Sequence, residues 1–162
     1  MSTDPSSTAS LLDRLDAVER RLAAHAAASA PPASSPTAGP AWGPGEVWGH
    51  MAEMLPHWLD EARRIVAQGR REPVRVGREE SDPDRLAGIE HFRRQPPGEV
   101  MRHLSGAMND LRAFVRGLDP GAWSARADYP RQGVLDLREF VDDFMVAHLE
   151  EHADQLDQLA SG

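Results

Sequence analysis

Four long segments of this chain place apolar residues three or four positions apart, which is the spacing of an amphipathic helix. No segment sustains the alternation of apolar and polar residues that marks a half-buried strand. The predicted long helices cover approximately residues 11–28, 44–68, 98–118 and 135–159, and a short helix covers residues 83–94. The pattern therefore predicts an all-α fold, a four-helix bundle with one short extra helix.

The connections between these helices restrict the topology. A Pro, Ser and Ala-rich linker at residues 29–41 and a charged connector at residues 69–82 are both long for a helical bundle. Such connections permit an arrangement other than up-down-up-down. We expect residues 1–10 to be a disordered N-terminus and residues 11–160 to form a single domain.

Composition excludes several classes of function. The formal net charge of -8 opposes binding to nucleic acid or to an anionic membrane surface. The chain has no cysteine, which excludes disulfides, thiolate metal sites and a cysteine nucleophile. It shows no apolar run of the ~20 residues that a membrane span needs and no signal-peptide pattern, so we expect a cytoplasmic protein.

Two histidines in the last predicted helix are the strongest candidates for chemistry. His148 and His152 are four residues apart, so their rings lie on one face, and the apolar spacing predicts that they occupy the centre of the buried stripe. A buried polar group without a partner costs roughly 1–3 kcal/mol. A divalent metal ion would engage both rings at once, whereas hydrogen bonds to carbonyl groups would make them ordinary core histidines.

A catalytic metal site of this kind needs a third protein ligand. The candidates on other helices are His50, His57 and His103. His50 is favoured because the preceding Gly49 permits another helix to approach closely. His57 follows Pro56, where a kink is expected, and could instead hydrogen-bond a freed carbonyl group.

The remaining polar candidates have simpler interpretations. His25, His91 and His103 are interpreted as surface residues. Residues 148–152 read His-Leu-Glu-Glu-His, with leucine at the position of a metalloprotease glutamate, which excludes a zinc protease of the HExxH type. Glu53 could hydrogen-bond a metal-ligating histidine, or it could lie on a solvated face.

Two segments are similar to the DinB superfamily, including the group of mycothiol-dependent maleylpyruvate isomerase N-terminal domains. The first, residues 42–53, reads WGPGEVWGHMAE and resembles the family's tryptophan, helix start and first metal histidine. The second, residues 133–140, reads GVLDLREF and leads to the histidine pair at residues 148–152. With the order of four helices, the likeness covers most of residues 11–159.

The resemblance implies an up-down-down-up bundle with a metal site of three side chains at one end. Carried over by position, His50, His148 and His152 would be the ligands of a divalent ion such as zinc or nickel. The resemblance also implies frequent dimers, so we expect a homodimer.

Three functions are consistent with such a site. The first is a metal-dependent transferase or isomerase, which would act on a small electrophile with a low-molecular-weight thiol such as mycothiol. An external thiol is consistent with a chain that has no cysteine of its own. The alternatives are a metal-dependent hydrolase that activates water and a non-catalytic dimeric stress or interaction protein with a vestigial site.

Overall fold

Helices dominate the part of the chain that the computed structural model describes, which is residues 5–28 and 42–162. The helices are α1 (Pro5–Ala28), α2 (Pro44–Gln68), α3 (Pro83–Arg93), α4 (Pro97–Gly117), α5 (Leu137–Val141) and α6 (Ala147–Ser161). A π-helical turn, Asp142–Val146, joins α5 to α6, and these three segments together are called the last helix. The predicted linker at residues 29–41 lies outside the described residues.

The helix boundaries follow local signals in the sequence. Asp82 accepts a hydrogen bond from the backbone of Arg85 and caps α3, as its position predicts. Asp136 and Glu139, whose three-residue spacing predicts a capping box, form this reciprocal pair of hydrogen bonds at the start of α5. Helix α1 begins at Pro5, so it includes residues 5–10 of the segment expected to be disordered.

Side-chain pairs define the directions of three of the four long helices. Arg14 of α1 pairs with Asp142 at 2.9 Å, and Arg21, two turns later, pairs with Asp157 at 2.7 Å. Helix α1 and the last helix therefore run parallel. Helix α2 runs antiparallel to the last helix. Near its start, His50 lies against His148 of α6, whereas the later residue Trp58 contacts Phe140 of α5, with ring centroids 5.9 Å apart.

The C-terminal ends of α2 and α4 lie side by side. Just beyond these ends, the guanidinium of Arg70 lies 2.5 Å from the carboxylate of Asp119. Because α2 and α4 end together, they run parallel, and the order of the four long helices is up-down-down-up. The predicted fold class and topology are confirmed.

The core lies between the four long helices. It is built mainly from aliphatic and methionine side chains of all four long helices, together with aromatic side chains of α2 and the last helix. The largest side chains that are fully buried are Leu15, Leu22, Met51, Met54, Leu55, Leu59, Ile65, Leu104, Met108, Leu111, Leu137 and Phe140. No helix of the described residues is both long and apolar enough to span a bilayer.

A small three-stranded sheet, formed by the segments after α2 and α4, corrects the prediction that the chain has no strands. Strand β1 (Val74–Arg75) pairs in parallel with β2 (Arg126–Tyr129), which pairs antiparallel with β3 (Gly133–Asp136). A two-residue strand is too short to produce a recognisable alternation. Within this region Tyr129 packs on Phe144, with ring centroids 4.9 Å apart, which joins the sheet to the last helix.

The π-helical turn corrects the predicted position of the histidine pair. The buried residues of α6 are Leu149, Ala153 and Leu156, so the two histidines lie beside the core stripe rather than at its centre. A π turn contains more residues than an α turn, so a 3.6-residue period cannot be extended across it. The displaced histidines face α2 instead of the bundle axis.

Helix α3 packs against the start of α2 through backbone contacts. Ile89 is buried in this contact. The helical spacing of Leu86 and Ile89 predicts that Leu86 also points inward, but it is 50% exposed. The difference arises because α3 approaches α2 so closely that only a narrow strip of its surface is covered.

Candidate metal centre

The structure brings together the three histidines that the resemblance implies as ligands. His50 comes from α2, and His148 and His152 come from α6; each offers a nitrogen atom within 4.8 Å of the other two. The Nε2 atoms of His50 and His148 are 3.2 Å apart. The ring centroids of His50 and His152 are 4.9 Å apart. This spacing suits three ligands that surround one ion.

Two nitrogen atoms of this cluster are buried and have no hydrogen-bond partner within the described structure, namely His50 Nδ1 and His152 Nε2. The other nitrogen of His152, Nδ1, lies 3.0 Å from Oε1 of Gln155. When Nδ1–H donates to this amide oxygen, the proton is on Nδ1 and the lone pair of Nε2 is free. A hydrogen bond of this type commonly orients a histidine for metal binding. The cluster therefore fits a metal ion.

The electrostatics of the cluster keep the imidazoles neutral. Burial and the two neighbouring histidines lower the pKa of His50 to about 2. Burial, His152 and the positive charge of Arg85 lower the pKa of His148 to about 4. Burial also lowers the pKa of His152, although Gln155 opposes this effect. Neutral imidazole is the form that binds metal ions, so these shifts favour ligation at neutral pH.

Trp42 closes one side of the cluster. Its ring centroid lies 5.0 Å from that of His50 and 6.4 Å from that of His152, and the Trp42 and His152 rings are nearly parallel. The indole therefore covers two of the three imidazoles. The tryptophan belongs to the segment that resembles the family, but nothing in its spacing predicts this contact.

A cleft of about 560 Å³ opens beside His50 and His148. Its walls combine aromatic rings with charged groups of both signs. The aromatic residues are Trp58, Tyr129 and Phe144; the cations are Arg78, Arg85 and Arg131; the acids are Glu80, Asp143 and Glu151. A small molecule in this cleft would therefore lie against two of the candidate ligands.

Glu53 occupies neither of its two predicted positions. Its side chain is 8% exposed and forms an ion pair with Arg78, in which Nη2 donates to Oε2 at 2.7 Å. The side chain packs against Gly88 of α3, where a Cβ would lie 2.4 Å from its Cγ. Glu53 therefore holds an arginine of the cleft rather than a histidine of the cluster.

The other four histidines lie outside this cluster. His57 packs its ring on Trp58, with centroids 4.7 Å apart, and its Nε2 is buried without a partner in the described structure. His91 and His103 are exposed beside Phe92, and His25 lies 2.5 Å from a carboxylate of α6. His57 and His103 are thus not placed to be the third ligand.

The sequence does not indicate the charged groups of the cleft. Arg85 lies on a short helix that also carries Arg93, and Asp143 directly follows another aspartate, so residue type alone distinguishes neither. Only the packing of α3 on α2 and the π turn bring them to the same cleft as the histidines.

The fold and the three-histidine cluster define a helical-bundle protein with a site that could hold a metal ion. A model of the DinB superfamily matches residues 5–156, and the chain belongs to this superfamily. No curated protein matches the chain. A solved structure that it resembles is YfiT from Bacillus subtilis, described as a probable metal-dependent hydrolase with an unusual four-helix bundle topology. The TM-score is 0.72 at 14% identity, over 99% of this chain and 89% of that one.

Proposed function

We propose that His50, His148 and His152 bind one divalent ion and that the protein is a metal-dependent enzyme of small-molecule chemistry. The observation that carries this proposal is the convergence of three neutral imidazoles from two helices, with buried nitrogens that lack partners, beside an open cleft. A purely structural site would be closed, whereas a catalytic site leaves room for a further ligand.

The preferred reaction is the transfer of a low-molecular-weight thiol, such as mycothiol, to an electrophile, or a thiol-dependent isomerisation. The ion, zinc or nickel, would supply Lewis acidity, which lowers the pKa of a thiol or water that it binds. The chain has no cysteine, so the thiol must come from outside. The homodimer and the cytoplasmic location stay predictions.

The residues of the chain would then hold and orient the reactants. Gln155 would keep the proton of His152 on Nδ1, so that Nε2 points its lone pair into the cluster. Trp42 would exclude water from the side of His50 and His152 that its ring covers. The cleft would hold the electrophile next to His50 and His148.

Hydrolysis is the second candidate. It is supported by the structural similarity to YfiT, which is described as a probable metal-dependent hydrolase. In this case water would take the place of the thiol as nucleophile, and the same three histidines would be needed.

Metal analysis of the purified full-length protein tests the common part of both candidates. We expect one metal ion for each chain of the wild-type protein and a loss of about tenfold or more in metal affinity for His148→Ala. The matched control is His103→Ala, which removes an exposed histidine from α4 and should leave the metal content unchanged. Equal metal content in wild type and His148→Ala would contradict the proposal.

A thiol titration of the nickel-loaded protein separates the two candidates. Mycothiol should produce a new metal–thiolate absorption band if the thiol is a substrate. If no band appears while the metal content is normal, thiol transfer is rejected, and hydrolysis remains as the candidate.

A further inference from the structure

We propose that Arg85 binds a carboxylate of the substrate while the aromatic wall of the cleft holds its apolar body. The substrate class would be a small monocarboxylate with an aromatic or similarly flat body. This inference rests on the proposed function, because it names the molecule that would lie beside the three histidines.

Arg85 is a cation without an anionic partner in the described part of the chain. Its Nη1 donates to the backbone carbonyl of Glu80 at 2.8 Å, and its guanidinium carbon lies 5.8 Å from the ring centroid of Trp42. These contacts fix the side chain but neutralise no charge. A guanidinium has five N–H donors in a planar fork, so donors remain for a carboxylate.

Arg85 lies beside the histidine cluster. The side chain lines the cleft together with His50 and His148. An anion bound to Arg85 would therefore lie close to the candidate metal ligands.

The other charges of the cleft favour one carboxylate over a phosphate. Arg78 is already paired with Glu53, and Arg131 lies 3.7 Å from a carboxylate oxygen of Glu80. Asp143 and Glu151 add two further negative charges, and neither forms an ion pair in the described structure. These acids would repel a phosphate dianion, and a single unpaired guanidinium would not balance its two charges. One carboxylate needs only one guanidinium.

Three aromatic side chains form a continuous wall in this cleft. Phe144 contacts both Trp58 and Tyr129, with ring centroids 4.9 Å apart in each case. Ligand pockets of this kind combine an apolar wall with a few polar groups that fix the orientation of the ligand. A flat apolar body can stack on the wall while its carboxylate reaches Arg85.

Calorimetric titration of the nickel-loaded full chain with three small probes tests the inference. The probes are phenylacetate, its neutral analogue phenylacetamide, and phenyl phosphate. Wild type should bind phenylacetate more tightly than the other two. Arg85→Gln should weaken phenylacetate binding by about tenfold or more, the effect of losing a charged hydrogen bond, without changing phenylacetamide binding.

Arg102→Gln is the matched control. It removes the same charge from a side chain of α4 that is 77% exposed and does not line the cleft, so phenylacetate affinity should not change. Arg85→Lys keeps the charge but loses the planar fork, and an intermediate affinity is expected. If Arg85→Gln does not fold, the affinity of Arg85→Lys for phenylacetate tests the inference instead.

Three results would overturn the inference: no binding of phenylacetate to wild type, equal binding to wild type and Arg85→Gln, or a preference for phenyl phosphate. The metal content of the same samples and a parallel titration after EDTA treatment keep the two proposals separate. Absence of metal in wild type would reject the proposed metal site, while the dependence on Arg85 would still be measured in the metal-free protein.

Discussion

Gly49 of α2 lies so close to Ile89 of α3 that a Cβ at Gly49 would be 2.6 Å from the carbonyl oxygen of Ile89. The neighbouring residue on α2 is His50, the first candidate ligand. The approach predicted from this glycine is confirmed, although the helix that approaches is the short α3 rather than one of the four long helices.

We expect Gly49→Ala to destabilise the protein. The obstructing atom is backbone oxygen, which cannot move away as a flexible side chain would, so one helix must shift. Overpacking of this kind typically costs about 1–3 kcal/mol. The free energy of unfolding, measured by urea titration and circular dichroism, checks the result.

The control for this substitution is Gly106→Ala. Gly106 lies within α4, and a Cβ there would meet nothing within 4 Å. Alanine is the better helix former by about 1 kcal/mol, so this variant should be equal to or more stable than wild type. If Gly49→Ala were as stable as Gly106→Ala, the close contact of α2 and α3 would be wrong.

Glu53→Gln should lower the free energy of unfolding more than a similar substitution in an exposed ion pair. The substitution leaves Arg78, which is 11% exposed, without its charged partner. Removal of one member of a buried pair costs about 3–5 kcal/mol, whereas an exposed pair contributes about 0–1 kcal/mol. The control is Asp60→Asn, which breaks an exposed pair with Arg63 on the same helix. Similar unfolding midpoints for the two variants would contradict the structural role of Glu53.

The stability of the metal-free protein should fall as the pH decreases from about 7 towards about 4. The pKa of His50 is lowered to about 2 and that of His148 to about 4, from an ordinary value of 6.5, mainly by burial. In this range the unfolded chain binds protons that the folded chain does not bind. Each such histidine contributes a slope of up to about 1.4 kcal/mol per pH unit, and above pH 7 the contribution disappears.

Urea unfolding of EDTA-treated protein across this pH range measures the effect. Wild type and His148→Leu share all other titrating groups, so the difference between their slopes isolates one histidine. We expect the shallower slope for His148→Leu, while His91→Ala, which removes an exposed histidine, should follow wild type. Parallel curves for wild type and His148→Leu would show that His148 titrates normally in the fold.

The parts of the site that the sequence predicts are those encoded within one helix. The spacing of His148 and His152 is such a feature, and the capping box of Asp136 and Glu139 is another. The π turn at 142–146 interrupts this local encoding, because nothing in its residue types distinguishes it from a continuing α-helix. The positions of the cleft arginines depend on contacts between segments that are distant in sequence. The periodicity of apolar residues within one helix cannot predict such contacts.

The contrast between His57 and His50 gives the most selective test of the cluster. Both lie on α2, and both have a buried ring nitrogen without a partner in the described structure. His57→Phe should retain the ring contact with Trp58 and remove a polar atom whose burial is uncompensated, so stability should hold or rise. His50→Phe removes a candidate ligand and should reduce metal affinity by about tenfold or more. Metal titration of the two variants checks both expectations, and loss of binding in His57→Phe would show that the ligand set includes a histidine outside the cluster of His50, His148 and His152.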